Sequence, residues 1–361
     1  MKATETLHDE GQSLWLDNIT RDLLNTGTLK RYIDELSVTG LTSNPTIFDH
    51  AIKNSSTYDS AIRKKAKEGK SGEELFFELA LDDLTRAADL FRPIWDRTHS
   101  VDGWVSLEVS PVLAHDTEST LEAAKSLSAR ADRRNLFIKI PGTKEGLPAI
   151  EEAIFAGVPI NVTLLFSPQQ YVAAAEAFLH GIERRIEAGL DPVVGSVASV
   201  FISRWDTAVK DKVPAPLRNQ LGIAVAKRTY KAYRTLLGSP RWQRIFNMGA
   251  RPQRLLWAST GTKDPAASDV LYVEALAAPF TVNTMPEGTL KAVADHGVVG
   301  GILTADGGDS EAVLARFGES GVDVEALAAT LQDEGAKSFV ASWRELMDVI
   351  ASKTAALDKA S

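Results

Sequence analysis

Cysteine is absent from the 361 residues of this chain. Without a thiol there is no disulfide, no thiolate ligand for a metal and no cysteine nucleophile, so any covalent catalysis must use another side chain. The six histidines lack the spacing of metal ligands, and no glycine-rich dinucleotide loop or Walker motif is present. We therefore predict an activity that needs neither a metal ion nor another cofactor.

Long apolar runs and basic tracts are also missing. No apolar stretch approaches the ~20 residues that cross a bilayer, and the opening MKATETLHDEGQS lacks the apolar centre of a secretory signal. The net charge of −8 argues against a nucleic-acid surface, because the densest basic run, RKKAKEGK, is short and typical of a solvated helix end. We expect a cytoplasmic protein with neither a membrane nor a nucleic acid as partner.

Eight short apolar segments alternate with longer amphipathic stretches. The segments, which we predict to be β-strands, are residues 14–19, 38–44, 104–111, 136–142, 159–167, 193–201, 254–260 and 280–285. Residues 72–91 and 168–188 carry apolar side chains at helical spacing. Ser167, Pro168 and Gln170 predict the start of the second helix as N-cap, first helical residue and capping box.

Strands that alternate with helices favour parallel βα units, and eight of them favour one closed (β/α)8 TIM barrel. We predict a single barrel domain over residues 1–361, with helical insertions at about 45–103 and 205–253. C-terminal helices are expected after about 310, notably over 325–358. A doubly wound sheet is the alternative, but no nucleotide-binding loop favours it.

The stretch NLFIKIPGT (135–143) places Lys139 inside an otherwise apolar strand. A buried ammonium is costly unless it is paired, neutralised or used. An exposed edge strand would explain it, but a closed barrel has no edge. Two interpretations remain: a structural ion-pair network with Asp17 and Glu108, or a nucleophile. A desolvated ammonium gives up its proton more readily, and the free amine attacks a carbonyl to form a Schiff base.

Side chains alternate across a strand, so each predicted strand has two faces that can be compared. In residues 104–110 one face is apolar and the other carries Ser106, Glu108 and Ser110. Because helices must cover the apolar face, the polar face is expected to point into the barrel, near the C-terminal end where barrel active sites lie. The same split in three other strands places these polar residues inside: Asp17, Lys139, Asn161 and Thr163.

Seven segments, in this order along the chain, resemble the transaldolase family, specifically its longer actinobacterial type. The similarity runs from about residue 12 to 350, and the segments are GLTSNPTIF, VSLEVSP, NLFIKIPGT, INVTLLFS, SVFISR, LLWASTGTKDP and TVNTMPEGTL. The resemblance implies an enzyme of the non-oxidative pentose phosphate pathway that needs no cofactor. Such an enzyme moves a dihydroxyacetone unit from sedoheptulose 7-phosphate to glyceraldehyde 3-phosphate, giving erythrose 4-phosphate and fructose 6-phosphate.

The resemblance also implies four catalytic roles. Lys139 forms the Schiff base with the ketose carbonyl. Asp17 takes a hydroxyl proton during C–C cleavage and returns it during addition. Glu108 and Thr163 hold a water that shuttles protons as the imine forms and breaks, unless Thr163 only caps a turn.

Substrate-binding roles follow from the same resemblance. Asn44 and Asn161 bind hydroxyls of the retained three-carbon unit. Ser199 and Arg204 bind the phosphate, with Phe201 as a wall of the pocket. Two simpler interpretations stay open: Asn44 shapes the loop before a proline, and Phe201 is ordinary core.

One segment departs from the family pattern. Shorter relatives bring a second arginine to the phosphate after the seventh strand, but this chain has STGTK there, so Lys263 is the nearby cation. A lysine binds phosphate as a point charge, without the two-pronged grip of arginine. Phosphate binding and a solvated surface lysine are both open for Lys263.

Two other functions remain as alternatives to the transferase. A Schiff-base aldolase of class I type on the same barrel would release free dihydroxyacetone. A non-catalytic sugar-phosphate-binding barrel would keep the pocket and need no nucleophile.

Overall fold

Eight parallel strands close into a barrel in chain order in the computed structural model, which describes residues 2–359. Each predicted segment overlaps one strand, and β1 pairs with β8 to complete the ring. The predicted (β/α)8 barrel is confirmed, and the closed ring excludes the doubly wound sheet. The strands are β1 (Gln12–Asp17), β2 (Val38–Thr42), β3 (Val105–Glu108), β4 (Leu136–Pro141), β5 (Ile160–Leu165), β6 (Ser196–Phe201), β7 (Gln253–Ala258) and β8 (Thr281–Met285).

Helices cover the outside of the barrel and fill the long connections. In the first half of the chain they are α1 (Ala3–Asp9), α2 (Arg21–Asn25), α3 (Thr28–Glu35), α4 (Pro45–Asn54), α5 (Asp59–Lys67), α6 (Gly72–Arg97), α7 (Thr117–Ala131), α8 (Gly146–Phe155) and α9 (Pro168–Glu187). In the second half they are α10 (Ser203–Val209), α11 (Leu221–Leu237), α12 (Pro240–Asn247), α13 (Leu271–Ala275), α14 (Glu287–His296), α15 (Ser310–Glu319) and α16 (Val324–Lys359).

The predicted capping box at the start of α9 is present. The Ser167 hydroxyl accepts a hydrogen bond from the Gln170 amide at 3.1 Å, and the Gln170 side chain accepts from the Ser167 amide at 3.3 Å. Two orphan N–H groups of the first turn are satisfied in this way.

The inner face of the barrel carries an apolar layer directly below the polar residues of its C-terminal end. Five strands contribute Trp15, Phe137, Val197, Leu256 and Val282 to this layer, which belongs to one buried cluster. The alternate positions, such as Leu14 and Ile138, belong to a second cluster shared with the covering helices. The apolar floor therefore leaves the upper part of the interior for polar side chains, as the alternation predicted.

Gly40 on β2 makes room for this floor. A Cβ at this position would lie 2.5 Å from Nε1 of the Trp15 indole, which is closer than real Cβ atoms approach other heavy atoms. Because glycine stands there, the large indole fits inside the barrel beneath the polar layer.

The 36-residue helix α16 crosses the C-terminal end of the barrel. The side chain of Gln332 donates to the carbonyl oxygens of Gly142, at 3.0 Å, and Leu164, at 2.9 Å, which follow or end β4 and β5. Across residues 2–359, no helix is both long enough and apolar enough to traverse a bilayer.

Candidate active site

A cavity lies at the C-terminal end of the barrel, above the apolar floor. Residues from seven strands or the loops that follow them line it, together with one residue of α16. Eight predicted site residues are in this lining: Asp17, Asn44, Lys139, Thr163, Ser199, Phe201, Arg204 and Lys263. The other two, Glu108 and Asn161, are buried and hydrogen-bonded to lining residues.

Lys139 forms a buried ion pair at the base of this cavity. Its Nζ donates to Oε2 of Glu108 at 2.9 Å and to the carbonyl oxygen of Ser43 at 2.9 Å. The two ionic residues are directly opposite in the β3–β4 register, so the strands themselves bring them together. Lys139 is 5% exposed and Glu108 4%. The ion pair expected of a structural network is present, but its ammonium also faces the cavity.

Glu108 and Thr163 keep unused hydrogen-bonding capacity beside this lysine. Burial raises the pKa of the Glu108 carboxyl above its ordinary value, although the charge of Lys139 opposes that shift. Oε1 of Glu108 and Oγ1 of Thr163 are buried and have no partner among the described residues. Buried polar atoms normally find a partner, so these two are suited to hold a small polar molecule.

Asp17 is oriented by two threonines that the sequence interpretation missed. The Thr42 hydroxyl donates to Oδ1 of Asp17 at 2.7 Å and lies 2.6 Å from the Thr284 hydroxyl. Because Thr42 has one proton and gives it to the carboxylate, Thr284 must donate to Thr42. Both threonines are on the inner faces of β2 and β8, so the alternation used for the other strands was sufficient to find them.

The carboxyl of Asp17 faces the cavity below the protein surface. Burial raises its pKa above the ordinary value, against the opposing charge of Lys139, the hydrogen bond from Thr42 and the charge of Lys263. A carboxylate that is poorly solvated and held at one oxygen is a suitable proton acceptor for a hydroxyl in the cavity.

The two predicted asparagines are placed differently. Asn161 is fully buried, accepts from the Ser199 hydroxyl at 2.7 Å and donates to the Ser106 hydroxyl at 3.1 Å. Asn44 lines the cavity and is also the N-cap of α4, where its Oδ1 accepts from the Ile47 amide at 3.0 Å. Asn44 therefore both shapes the loop before Pro45 and faces the cavity.

Arg204 lies in the first turn of α10 with aromatic neighbours. Its guanidinium carbon is 5.0 Å from the ring centre of Phe201 and 5.7 Å from that of Phe339. Burial lowers the pKa of Arg204 from its ordinary value, and the charge of Glu108 opposes this. Phe201 also packs on Phe166, with ring centres 5.4 Å apart, so it belongs to both the core and the cavity wall.

The cavity is more positive than the rest of the molecule. Lys139, Arg204 and Lys263 line it, against the carboxylates of Asp17 and Glu108, whereas the whole chain has a net charge of −8. Lys263 lies at the cavity rim, where its side chain is exposed to solvent and also lines the cavity. Such a local reversal of charge favours an anionic ligand. Across residues 2–359, no group of three or more histidine, aspartate or glutamate side chains is arranged to hold a metal ion.

Comparison with known proteins connects this site to one family. Residues 14–350 match the model of the family described as transaldolase/fructose-6-phosphate aldolase. A protein named transaldolase from Parafrankia sp. (strain EAN1pec) is 46% identical over 358 residues, 97% of either chain. The one from Thermobifida fusca (strain YX) is 45% identical and covers 98% of both chains. The one from Mycobacterium tuberculosis (strain ATCC 25618 / H37Rv) is 44% identical over 93% of both. The chain therefore belongs to the transaldolase/fructose-6-phosphate aldolase family.

Proposed function

We propose that this protein is a transaldolase, which moves a dihydroxyacetone unit between sugar phosphates through a Schiff base on Lys139. The observation that carries the proposal is Lys139, a residue that is 5% exposed and whose amine faces a cationic cavity and is hydrogen-bonded to Glu108 at 2.9 Å. The name of the relatives that are 44–46% identical supports the same reaction. The proposed donor and acceptor are sedoheptulose 7-phosphate and glyceraldehyde 3-phosphate.

Imine formation requires the amine to lose a proton and the ketose oxygen to leave as water. Lys139 transfers a proton to Glu108 and attacks the carbonyl carbon C2, which gives a carbinolamine. Glu108 then returns a proton to the C2 hydroxyl, which departs as water and leaves a protonated imine. The raised pKa of the Glu108 carboxyl suits this exchange, because the group must be protonated in one step and ionised in the next. Thr163 assists by orienting a water with its free hydroxyl.

Cleavage then uses Asp17 as the base. Asp17 takes the proton of the C4 hydroxyl, the C3–C4 bond breaks, and erythrose 4-phosphate leaves as the aldehyde. The electron pair of the broken bond moves into the imine, which becomes an enamine on Lys139. In the return direction the enamine carbon attacks the aldehyde of glyceraldehyde 3-phosphate, and Asp17 gives its proton to the new hydroxyl. Hydrolysis of the imine releases fructose 6-phosphate and the free amine.

Polar side chains around the cavity supply the contacts to the substrate. Asn44 binds a hydroxyl of the three-carbon unit directly, and Asn161, which is below the lining, binds a second one with the Oδ1 that Ser199 releases. Arg204 grips the phosphate, and the Ser199 hydroxyl turns from Asn161 to donate to it. Lys263 adds a second positive charge at the rim.

Borohydride trapping tests the proposal. We expect the protein incubated with fructose 6-phosphate and borohydride to gain one reduced sugar-phosphate adduct, and peptide mass spectrometry should place it on Lys139. With erythrose 4-phosphate added instead of borohydride, the enzyme should form sedoheptulose 7-phosphate. Absence of any adduct would favour the non-catalytic sugar-phosphate-binding barrel. Steady release of free dihydroxyacetone from fructose 6-phosphate alone, at the rate of transfer, would favour the aldolase.

Arg204 should control affinity for the phosphate. Losing a charge-assisted hydrogen bond costs roughly 1.5–3 kcal/mol, or about 10- to 150-fold in binding. We expect Arg204→Met, which keeps the unbranched stem between the aromatic rings, to raise KM for fructose 6-phosphate by that order. Turnover of unphosphorylated fructose should change little. Arg228→Met, which removes a surface arginine paired with Glu311, is the matched control and should affect neither sugar.

Lys263→Ala should show a weaker version of the same pattern, because an exposed ammonium at the rim is screened by solvent. The comparison of fructose with fructose 6-phosphate decides both cases. Equal losses on the two sugars for the Arg204 variant would mean that the guanidinium is structural.

A further inference from the structure

The C-terminal helix α16 reaches the phosphate side of the cavity although it is not part of the barrel. Phe339, on this helix, lines the cavity beside Arg204. Its ring centre is 5.7 Å from the guanidinium carbon, and Phe201 faces the same group at 5.0 Å. Two aromatic rings from distant parts of the chain thus hold one cation.

Aromatic rings replace an acidic partner for this arginine. Among residues 2–359, no carboxylate lies within ion-pair distance of Arg204, whereas many other arginines of the chain have one. A cation over the faces of aromatic rings is stabilised electrostatically and keeps its N–H groups free. The arrangement therefore fixes the guanidinium while its donors stay available for an anionic ligand.

Gly335, one turn before Phe339 on α16, is the second contact. A Cβ at this position would lie 3.1 Å from Nη1 of Arg204 and 2.9 Å from Cδ2 of Leu164. Glycine inside a helix destabilises it by roughly 1 kcal/mol relative to alanine. Gly335 therefore lowers the stability of the helix at the turn where a Cβ would contact the guanidinium.

The helix is also fixed to the barrel at this point. Gln332, one turn before Gly335, donates to the carbonyl oxygens of Gly142 and Leu164 at 3.0 and 2.9 Å. Leu164 is at an irregularity of β5 and has a φ of 59°, a left-handed conformation that is uncommon for a residue other than glycine. The side chain of Gln332 thus holds α16 against this irregular part of the barrel wall.

We infer that α16 is a positioning element for phosphate recognition, in which Phe339 holds the Arg204 guanidinium in the orientation that binds the phosphate and Gly335 leaves room for it. The inference rests on the proposed function, because it concerns the phosphate of that substrate. Without the Phe339 ring, only Phe201 faces the guanidinium, so the group is less ordered in the empty site and must be ordered when the phosphate arrives. Ordering one such side chain typically changes affinity by roughly 2- to 12-fold.

Phe339→Leu tests the aromatic contact. We expect it to raise KM for fructose 6-phosphate by about 2- to 12-fold, with kcat and the turnover of unphosphorylated fructose nearly unchanged. Phe339→Tyr keeps the aromatic face and should restore KM. Trp343→Leu is the matched control: Trp343 is a buried aromatic residue one turn further along α16, packed on Phe76 and Phe77. It should lower the melting temperature without separating the two sugars.

Gly335→Ala tests the second contact. The added methyl group favours the helix, but it meets both the end of the Arg204 side chain and Cδ2 of the buried Leu164, which must shift. We expect KM for fructose 6-phosphate to increase with little net change in the melting temperature, because the gain in helix propensity and the close contact with Leu164 oppose each other. Gly318→Ala in α15, where a Cβ would meet nothing within 4 Å, is the control and should leave KM unchanged.

Calorimetric titration with inorganic phosphate separates this inference from the proposed function. Weaker phosphate binding by Phe339→Leu and Gly335→Ala, with unchanged binding by the two control variants, supports the inference even if no imine is trapped. If the wild type traps an imine, yet Phe339→Leu binds phosphate as tightly as Trp343→Leu and shows no difference between the two sugars, α16 has only a structural role and the inference is wrong.

Discussion

Lys139→Met should abolish transfer of the dihydroxyacetone unit and leave the barrel folded. The expected loss is on the order of four orders of magnitude or more, because removal of a covalent nucleophile takes away the whole reaction path rather than one stabilising contact. Methionine keeps the unbranched shape of the lysine stem on the inner face of β4. Production of glyceraldehyde 3-phosphate from fructose 6-phosphate and erythrose 4-phosphate, followed in a coupled assay, measures the loss.

The folded state should tolerate this substitution because Glu108 can change its protonation. Removing one partner of a buried ion pair is strongly destabilising when the other charge remains, by roughly 3–5 kcal/mol. Burial already raises the pKa of the Glu108 carboxyl, and the positive charge of Lys139 is the largest effect that lowers it. Without the ammonium that pKa rises further, so the carboxyl becomes neutral and most of the penalty is avoided. A circular dichroism melt should show one cooperative transition.

Lys263→Met is the matched control for the nucleophile, since this lysine also lines the cavity. It should still give the borohydride adduct on Lys139, whereas Lys139→Met should give none on any lysine. Substantial activity in Lys139→Met, or an adduct found on Lys263 in the wild type, would contradict the proposed mechanism.

The barrel and the base of its site could be predicted from the sequence because both depend on local alternation. Apolar and polar residues alternate along four of the predicted strands, and this alternation places Asp17 and Lys139 on one inner surface. The register that sets Glu108 opposite Lys139 follows from the parallel pairing of β3 with β4. The same alternation applies to β2 and β8, where it points Thr42 and Thr284 into the barrel beside Asp17.

The contribution of α16 could not be predicted in the same way. Phe339 has the helical spacing of an ordinary core residue, and nothing near it in the chain points to a contact with Arg204. Its position over Arg204 depends on how a C-terminal helix crosses the barrel, which is a tertiary contact between distant segments. The burial of Asn161 was equally inaccessible, because alternation gives the face of a strand and not the depth of a side chain beneath the cavity.

Asp17→Asn should stop the reaction after the imine has formed. The substitution preserves size, and the amide oxygen of asparagine still accepts the hydrogen bond from Thr42, so the orientation of the side chain is retained. An amide cannot take the C4 hydroxyl proton, however, and the loss of a positioned base costs roughly two to four orders of magnitude. We expect steady-state transfer to fall by that amount while borohydride still traps the wild-type quantity of adduct.

The acidic side of the pH profile gives a second measurement for Asp17. Burial raises the pKa of this carboxyl, and cleavage needs its ionised form. In the wild type, kcat/KM should therefore decline as the pH falls through that raised pKa, at a higher pH than for an ordinary aspartate. Lys263 opposes the shift, so Lys263→Met should move this decline to still higher pH. A profile in the Lys263 variant that is identical to that of the wild type would mean that another group limits the rate.

Glu108→Gln is the counterpart that separates the two carboxylates. Glutamine can still accept from Nζ of Lys139, but it cannot carry the proton that the departing C2 oxygen requires. The slow step should therefore be imine formation, which precedes cleavage. In single-turnover trapping with fructose 6-phosphate, adduct should appear slowly in Glu108→Gln and rapidly in Asp17→Asn. A base that acts only after the imine has formed can be removed without slowing imine formation. Equal trapping rates in the two variants would therefore mean that both carboxylates act in the same step.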